Sequence, residues 1–153
     1  WAQTPGVVPS GIREAMGDRI YGCDDCLDAC PPGTRVLRSA SSQRGRVDLA
    51  ELLLADDQTL LERFGHWFLP DRDPRIIRRN ALIAAGNSGH APLVALVASY
   101  TGHPDWVLRV HAIWAIRQLG GQSATTEAVF AHRDRHETDS RVRAELAHSP
   151  IGK

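Results

Sequence analysis

Three short stretches of this chain repeat one another at almost constant spacing. Arg78-Arg79-Asn80-Ala81, Arg109-Val110-His111-Ala112 and Arg141-Val142-Arg143-Ala144 share an Arg-x-x-Ala core at steps of 31 and 32 residues. Ile83-Ala84 and Trp114-Ala115 extend the first two copies. Such a period holds a pair of helices that cannot bury its apolar face alone and is stabilised by stacking on its neighbours. The small Ala lets adjacent helices approach, and the larger apolar residues fill the layer between them. From Val47 onward apolar residues recur with the helical period and strand signals are scarce.

The local signals agree with an α-solenoid of the HEAT type. Asp48 is placed to cap a helix through Leu49, Leu52 and Leu53, and Asp56 or Asp57 one through Leu60, Leu61 and Phe64 that ends at Gly65. Asp73-Pro74 pairs an N-cap acid with a proline at the first helical position. The helix it opens carries Ile76, Ile77, Ala81, Leu82 and Ile83 and stops at Gly86-Asn87-Ser88-Gly89. Further helices are expected over Pro92–Tyr100, Pro104–Leu119, Thr125–Arg135 and Ser140–Ala147. The third repeat copy is weak, with Glu145 where Leu82 and Ile113 stand, as a terminal cap with a polar outer face would be.

Ahead of the repeats lie all three cysteines, in Tyr21-Gly-Cys-Asp-Asp-Cys-Leu-Asp-Ala-Cys-Pro-Pro-Gly33. An odd, tightly packed set is a poor disulfide framework, and a zinc ribbon needs a second knuckle. The C-x2-C-x3-C-P spacing matches the end of a bacterial ferredoxin run, where the last Cys serves the other cluster of a pair. The pattern therefore favours Cys23, Cys26 and Cys30 as 4Fe–4S ligands over zinc or purely structural thiols. Gly22 permits the unusual backbone of a cluster loop, Asp24, Asp25 and Asp28 set its turn, and Pro31 stops the helical turn before it. Three thiolates do not complete the set, so the remaining ligands must come from chain outside this sequence. The start at Trp1 also reads as a fragment or a trimmed chain.

Charge narrows the function less. With 18 basic and 18 acidic residues there is no global field that would argue for nucleic acid. The arginines are clustered, however: Arg35, Arg38, Arg44 and Arg46, then Arg72, Arg75, Arg78 and Arg79, with Arg109 in the second repeat. One reading pairs the repeat arginines with acids or carbonyls of neighbouring repeats. The other sets Arg72, Arg75, Arg78, Arg79 and Arg109 on a concave face that grips RNA phosphates. His132 and His136 lack a third ligand at a recognisable spacing and read as solvated, while His111 reads as a packing or hydrogen-bonding residue. Trp67, Trp106 and Trp114 read as core or layer residues. No Ser-His-Asp set, phosphate loop or catalytic carboxylate pair stands out. No apolar run approaches the roughly 20 residues of a membrane span, and no signal peptide is visible.

Taken together, Gly17-Asp-Arg-Ile-Tyr-Gly-Cys-Asp-Asp-Cys-Leu-Asp-Ala-Cys-Pro31, Arg78-Arg-Asn-Ala-Leu-Ile-Ala-Ala-Gly-Asn87 and His111-Ala-Ile-Trp-Ala115 resemble the C-terminal part of tRNA epoxyqueuosine reductases, in the same order. The resemblance runs from Pro9 to Leu119, and the tail after Gly121 carries little of it. It departs at Pro32-Gly33, where the family commonly has Trp-Asn, and at Leu69–Pro74, where the family has an Arg-Gly-Arg stretch. It implies a cytoplasmic oxidoreductase with two 4Fe–4S clusters and cobalamin, which reduces the epoxide of epoxyqueuosine in tRNA. It also implies that Cys23 and Cys26 ligate one cluster and Cys30 the other. The cobalamin site and catalytic acid would precede this chain, and the helical repeats would hold the tRNA anticodon arm.

The expected fold is mainly α. Residues 1–46 form the C-terminal segment of a ferredoxin-like double-cluster domain, and residues 47–153 a HEAT-like solenoid. The expected function is the electron-transfer and tRNA-docking part of that reductase, inactive on its own. The alternatives are a non-catalytic iron–sulfur scaffold whose solenoid binds a protein, and a paralogous reductase for another substrate.

Overall fold

Acidic caps punctuate the chain. In the computed structural model, which describes residues 1–22, 26, 29–32, 47–120 and 123–148, they open most of the helices. The Asp48 carboxylate accepts from the N–H groups of Ala50 and Glu51 at 2.7 and 3.0 Å and starts α2, Leu49–Leu54, which follows a short N-terminal helix α1, Ser10–Met16. Asp56 accepts from Thr59 N–H at 2.7 Å and opens α3, Asp57–Phe64. Asp73 accepts from Arg75 N–H at 2.9 Å, and Pro74 adopts helical angles at the mouth of α4, Arg75–Ser88. Each such cap is worth about 1 kcal/mol. Gly89 closes α4 in the left-handed region at φ 64°.

The helix expected over Pro92–Tyr100 is shorter and broken. It consists of a 3-10 turn Ala91–Leu93, helix α5, Val94–Ser99, and a second turn Tyr100–Gly102. Pro92 tightens its entry, and the hydroxyls of Ser99 and Thr101 donate to the carbonyls of Leu96 and Ala98 and tighten its exit. Asp105 then caps α6, Trp106–Gly120, through Val107 and Leu108. Ser123 caps α7, Ala124–His136, and Asp139 caps α8, Ser140–Ala147.

The layer at the centre is α4 against α6. Ala81, Leu82 and Ile83 of one and Leu108, Ala112 and Ile116 of the other are fully buried. The closest approach is at Gly86, where an added Cβ would lie 2.7 Å from Trp114 Cζ3 and 3.0 Å from Ala115 Cα. The repeated alanines, Ala81 and Ala112, sit inside this layer, whereas Ala144 of the third copy is exposed. Among the described residues there is no strand.

Two features depart from the sequence reading. Helix α1 had no periodic signal of its own, because it is short and held by contacts distant in sequence. Val8, just ahead of it, and Met16, its last residue, belong to the same hydrophobic core as α4 and α6. Residues 1–22 thus pack on the repeat helices, while 33–46, with Arg35, Arg38, Arg44 and Arg46, lie outside the described residues. Glu145, expected on a polar outer face, turns inward instead. Its two carboxylate oxygens take Arg13 Nη1 and Nη2 at 2.8 and 3.1 Å. Arg13 is 2% exposed, and a buried guanidinium requires a partner.

Candidate functional site

Cys23 lies outside the described residues. Cys26 is helical, and both it and Cys30 are exposed. Cys30 stands in the break between a helical turn at Ala29 and another that opens at Pro31. Proline ends one turn here and begins the next, where its missing N–H is no loss. Gly22 enters the run with φ +63°, the left-handed region that a side chain would oppose.

The approach to the cysteines is fixed to the helical repeats by Tyr21. Its ring stacks on Trp67 with centroids 4.6 Å apart and an interplanar angle of 8°. Its hydroxyl accepts from Phe68 N–H at 2.9 Å. Trp67 in turn leans on Phe64 of α3 at 4.6 Å. Trp67, expected as a core or layer residue, is half-buried. Trp114 is in the core, and Trp106 is half-buried under the Arg141 guanidinium, 3.5 Å from its ring centroid.

The arginines separate into two groups. Arg78 pairs with Asp57 and donates to the Ala55 carbonyl at 2.6 Å. Arg109 makes a two-pronged pair with Glu137 at 2.9 and 3.0 Å and donates to the carbonyls of His103 and Pro104. Burial alone would raise the Glu137 carboxyl, but the Arg109 hydrogen bonds and charge, together with the N–H groups of Asp139 and Thr138, outweigh it and hold the group below its ordinary value. These repeat arginines therefore fasten neighbouring helices. Arg79 is 1% exposed, with its guanidinium donating to the carbonyls of Trp1, Ala2, Thr4 and Gly6 and to Asn80 Oδ1. Burial pushes its pKa down to about 10. Of the arginines expected to meet phosphate, Arg79 has its donors turned inward to backbone carbonyls and to Asn80 Oδ1. Arg75 is exposed but bridges Asp73 and Asp105, which raise its pKa. Arg72 is exposed, and its guanidinium donates a long bond, 3.3 Å, to the Gly65 carbonyl.

Two features escaped the sequence reading. Asn80 and Asn87 donate to the carbonyls of Ala2 and Ile20 and of Arg13 and Gly17, all at 2.7–2.9 Å, and so hold the N-terminal segment. Asp71 and Arg72 are consecutive left-handed residues, φ 54° and 52°, in a turn with no glycine to announce them. His111 is buried as expected; its Nε2 accepts from Val8 N–H at 3.1 Å and its Nδ1 lies 2.7 Å from the Val107 carbonyl. His132 and His136 are exposed with ring centroids 4.7 Å apart.

Among the described residues no three potential ligands come together to hold a metal ion. The donor chemistry fits an iron–sulfur group only as a shared site, since Cys26 and Cys30 offer soft sulfur donors at exposed positions.

Residues 61–149 match a family described as HEAT repeats. An epoxyqueuosine reductase of Aliivibrio fischeri is 32% identical over 132 residues, which is 76% of this chain and 33% of that protein. One from Bacillus cereus is 28% identical over 151 residues, 94% of this chain and 39% of that protein. A crystal structure of epoxyqueuosine reductase with an epoxyqueuosine-modified tRNA-Tyr stem loop superposes with a TM-score of 0.80 at 26% identity. It covers 95% of this chain and 40% of that one. The region matched is C-terminal in those proteins, and the chain spans less than half of their length.

Proposed function

This chain belongs to the HEAT-repeat family, and on that premise we propose that it is the electron-transfer and tRNA-docking part of a cobalamin-dependent, iron–sulfur epoxyqueuosine reductase. The observation that carries the reading is the likeness over 95% of the chain to a reductase crystallised with a modified tRNA stem loop. The cysteine run, tied to the repeats through Tyr21 and Trp67, supports it. A tRNA substrate implies a cytoplasmic enzyme, and no helix of the described residues is long and apolar enough to cross a membrane.

In this reading Cys23 and Cys26 hold one 4Fe–4S cluster and Cys30 holds the other, with the remaining ligands outside this sequence. When bound, the clusters supply single electrons and cobalamin the reducing centre for opening the epoxide. The chain's own task is placement. Gly22 and Pro31 shape the run, and the Tyr21–Trp67 stack sets it against α3. Arg72 and Arg75, the exposed members of the second arginine cluster, face solvent where RNA phosphates can reach them. Arg78 and Arg109 hold the helices that carry them.

The test is on the full-length protein purified without oxygen. About eight irons per chain, matching sulfide and bound cobalamin are expected. Cys26→Ser and Cys30→Ser should each lower the iron content and abolish conversion of epoxyqueuosine to queuosine in tRNA. Zinc in place of iron, with no cobalamin, would sink the proposal and leave a metal-stapled helical binding module.

A further inference from the structure

Phe68 is 70% exposed, although its neighbours Trp67 and Leu69 turn inward. Its exposure is not that of a loose loop. Phe68 N–H donates to Tyr21 Oη at 2.9 Å, and Trp67 N–H donates to the Phe64 carbonyl at 2.9 Å. On the other side the Leu69 carbonyl accepts from Arg72 N–H at 2.9 Å, closing the turn that holds Asp71 and Arg72 in the left-handed region. L side chains avoid that conformation, and strained backbone of this kind collects at binding sites. Here it folds the Arg72 guanidinium back over the loop toward the Gly65 carbonyl, with the side chain exposed.

One hydrogen-bonded loop thus presents an open aromatic ring and a planar cation with donors to spare. It also adjoins Tyr21, two residues ahead of Cys23. An aromatic face takes an unstacked base, and a guanidinium takes a phosphate oxygen through its planar fork. Asp71, also exposed, offsets the charge of Arg72, so this is not a broad basic field that would hold any polyanion. A paired stem offers its phosphates but hides its base faces. We infer that Phe68 and Arg72 form a docking point for an unpaired nucleotide of the RNA, Phe68 stacking on the base and Arg72 holding its phosphate. This rests on the tRNA-docking reading above and adds to it the single-stranded element and the residues that read it.

The full-length protein is compared with Phe68→Ala, Phe68→Tyr, Phe68→Trp and Arg72→Asn, since Asn tolerates a positive φ. The probes are an anticodon stem-loop RNA and a blunt duplex of the same length. Phe68→Ala should weaken stem-loop binding about tenfold and duplex binding less than about twofold, with Phe68→Tyr near wild type. Arg72→Asn should weaken stem-loop binding and make its salt dependence shallower. The added tryptophan of Phe68→Trp should be open to acrylamide in the free protein and quenched by the stem-loop. Unchanged stem-loop affinity in Phe68→Ala overturns the inference alone. So does a Phe68→Trp signal already shielded without RNA, because the rest of the protein then covers the ring. Failure of the wild-type protein to bind the stem-loop at all overturns the tRNA reading together with it.

Discussion

Asn80 and His111 stand at the same place in successive repeats, and each holds backbone of the N-terminal segment, Asn80 at Ala2 and Ile20 and His111 at Val8. To accept from Val8, His111 must be neutral, with its Nδ1–H donating to Val107. Burial, with Arg13 nearby, lowers its pKa from 6.5 to about 3. Between those values the unfolded chain takes up a proton that the folded chain refuses. The contribution of His111 is therefore complete above about pH 6.5 and declines with acid down to about pH 3, by at most about 1.4 kcal/mol per pH unit. Urea midpoints followed from about pH 7 to about pH 4.5 should fall in the wild type and fall less steeply in His111→Gln. Equal slopes would mean that His111 is not the proton-sensitive group.

Glu145 neutralises a guanidinium that cannot reach water. Glu145→Ala should cost about 3 kcal/mol, because it leaves Arg13 buried and unmatched. Replacing both residues, Arg13→Met with Glu145→Leu, should recover most of that loss. Chemical denaturation of the three variants decides it; a single variant as stable as the wild type would show that water reaches Arg13.

At Gly86 the two central helices leave no room for a methyl group. Gly86→Ala gains helix propensity but must push α4 away from Trp114 and Ala115. We expect a net loss of about 1–3 kcal/mol, read as a lower thermal midpoint. An increase would show that the layer yields freely.

Asp71 at φ 54° is the opposite case. Asp71→Gly relieves a strained backbone and should raise stability by about 0.5–1 kcal/mol. The same change at a position of ordinary φ would lower it, so the sign of the shift in midpoint tests the turn geometry directly.

Helices α2, α3, α4, α6, α7 and α8 were legible because their caps and apolar period are local. Asp48, Asp56 and Asp139 need only the next few N–H groups to act. The roles of Arg78 and Arg109 as fasteners were legible too, as one of two readings of the repeat. What could not be read depends on residues far apart in the chain. Nothing near Arg79 announces that its partners are the carbonyls of residues 1–6, and nothing near Glu145 announces Arg13. The left-handed pair at Asp71 and Arg72 was hidden for a different reason, since neither residue type marks that conformation as glycine does.

The clasp between Arg13 and Glu145 spans 132 positions, and it has a consequence for synthesis on the ribosome. A solenoid ordinarily adds each repeat onto a finished neighbour, so early parts are stable before late ones exist. Here Arg13 is made 132 residues before its counter-ion emerges. During that interval α1 has no complete seat and its apolar residues remain open to solvent. The sequence order thus makes α1 one of the last helices to be secured, after the repeats it packs on have been made.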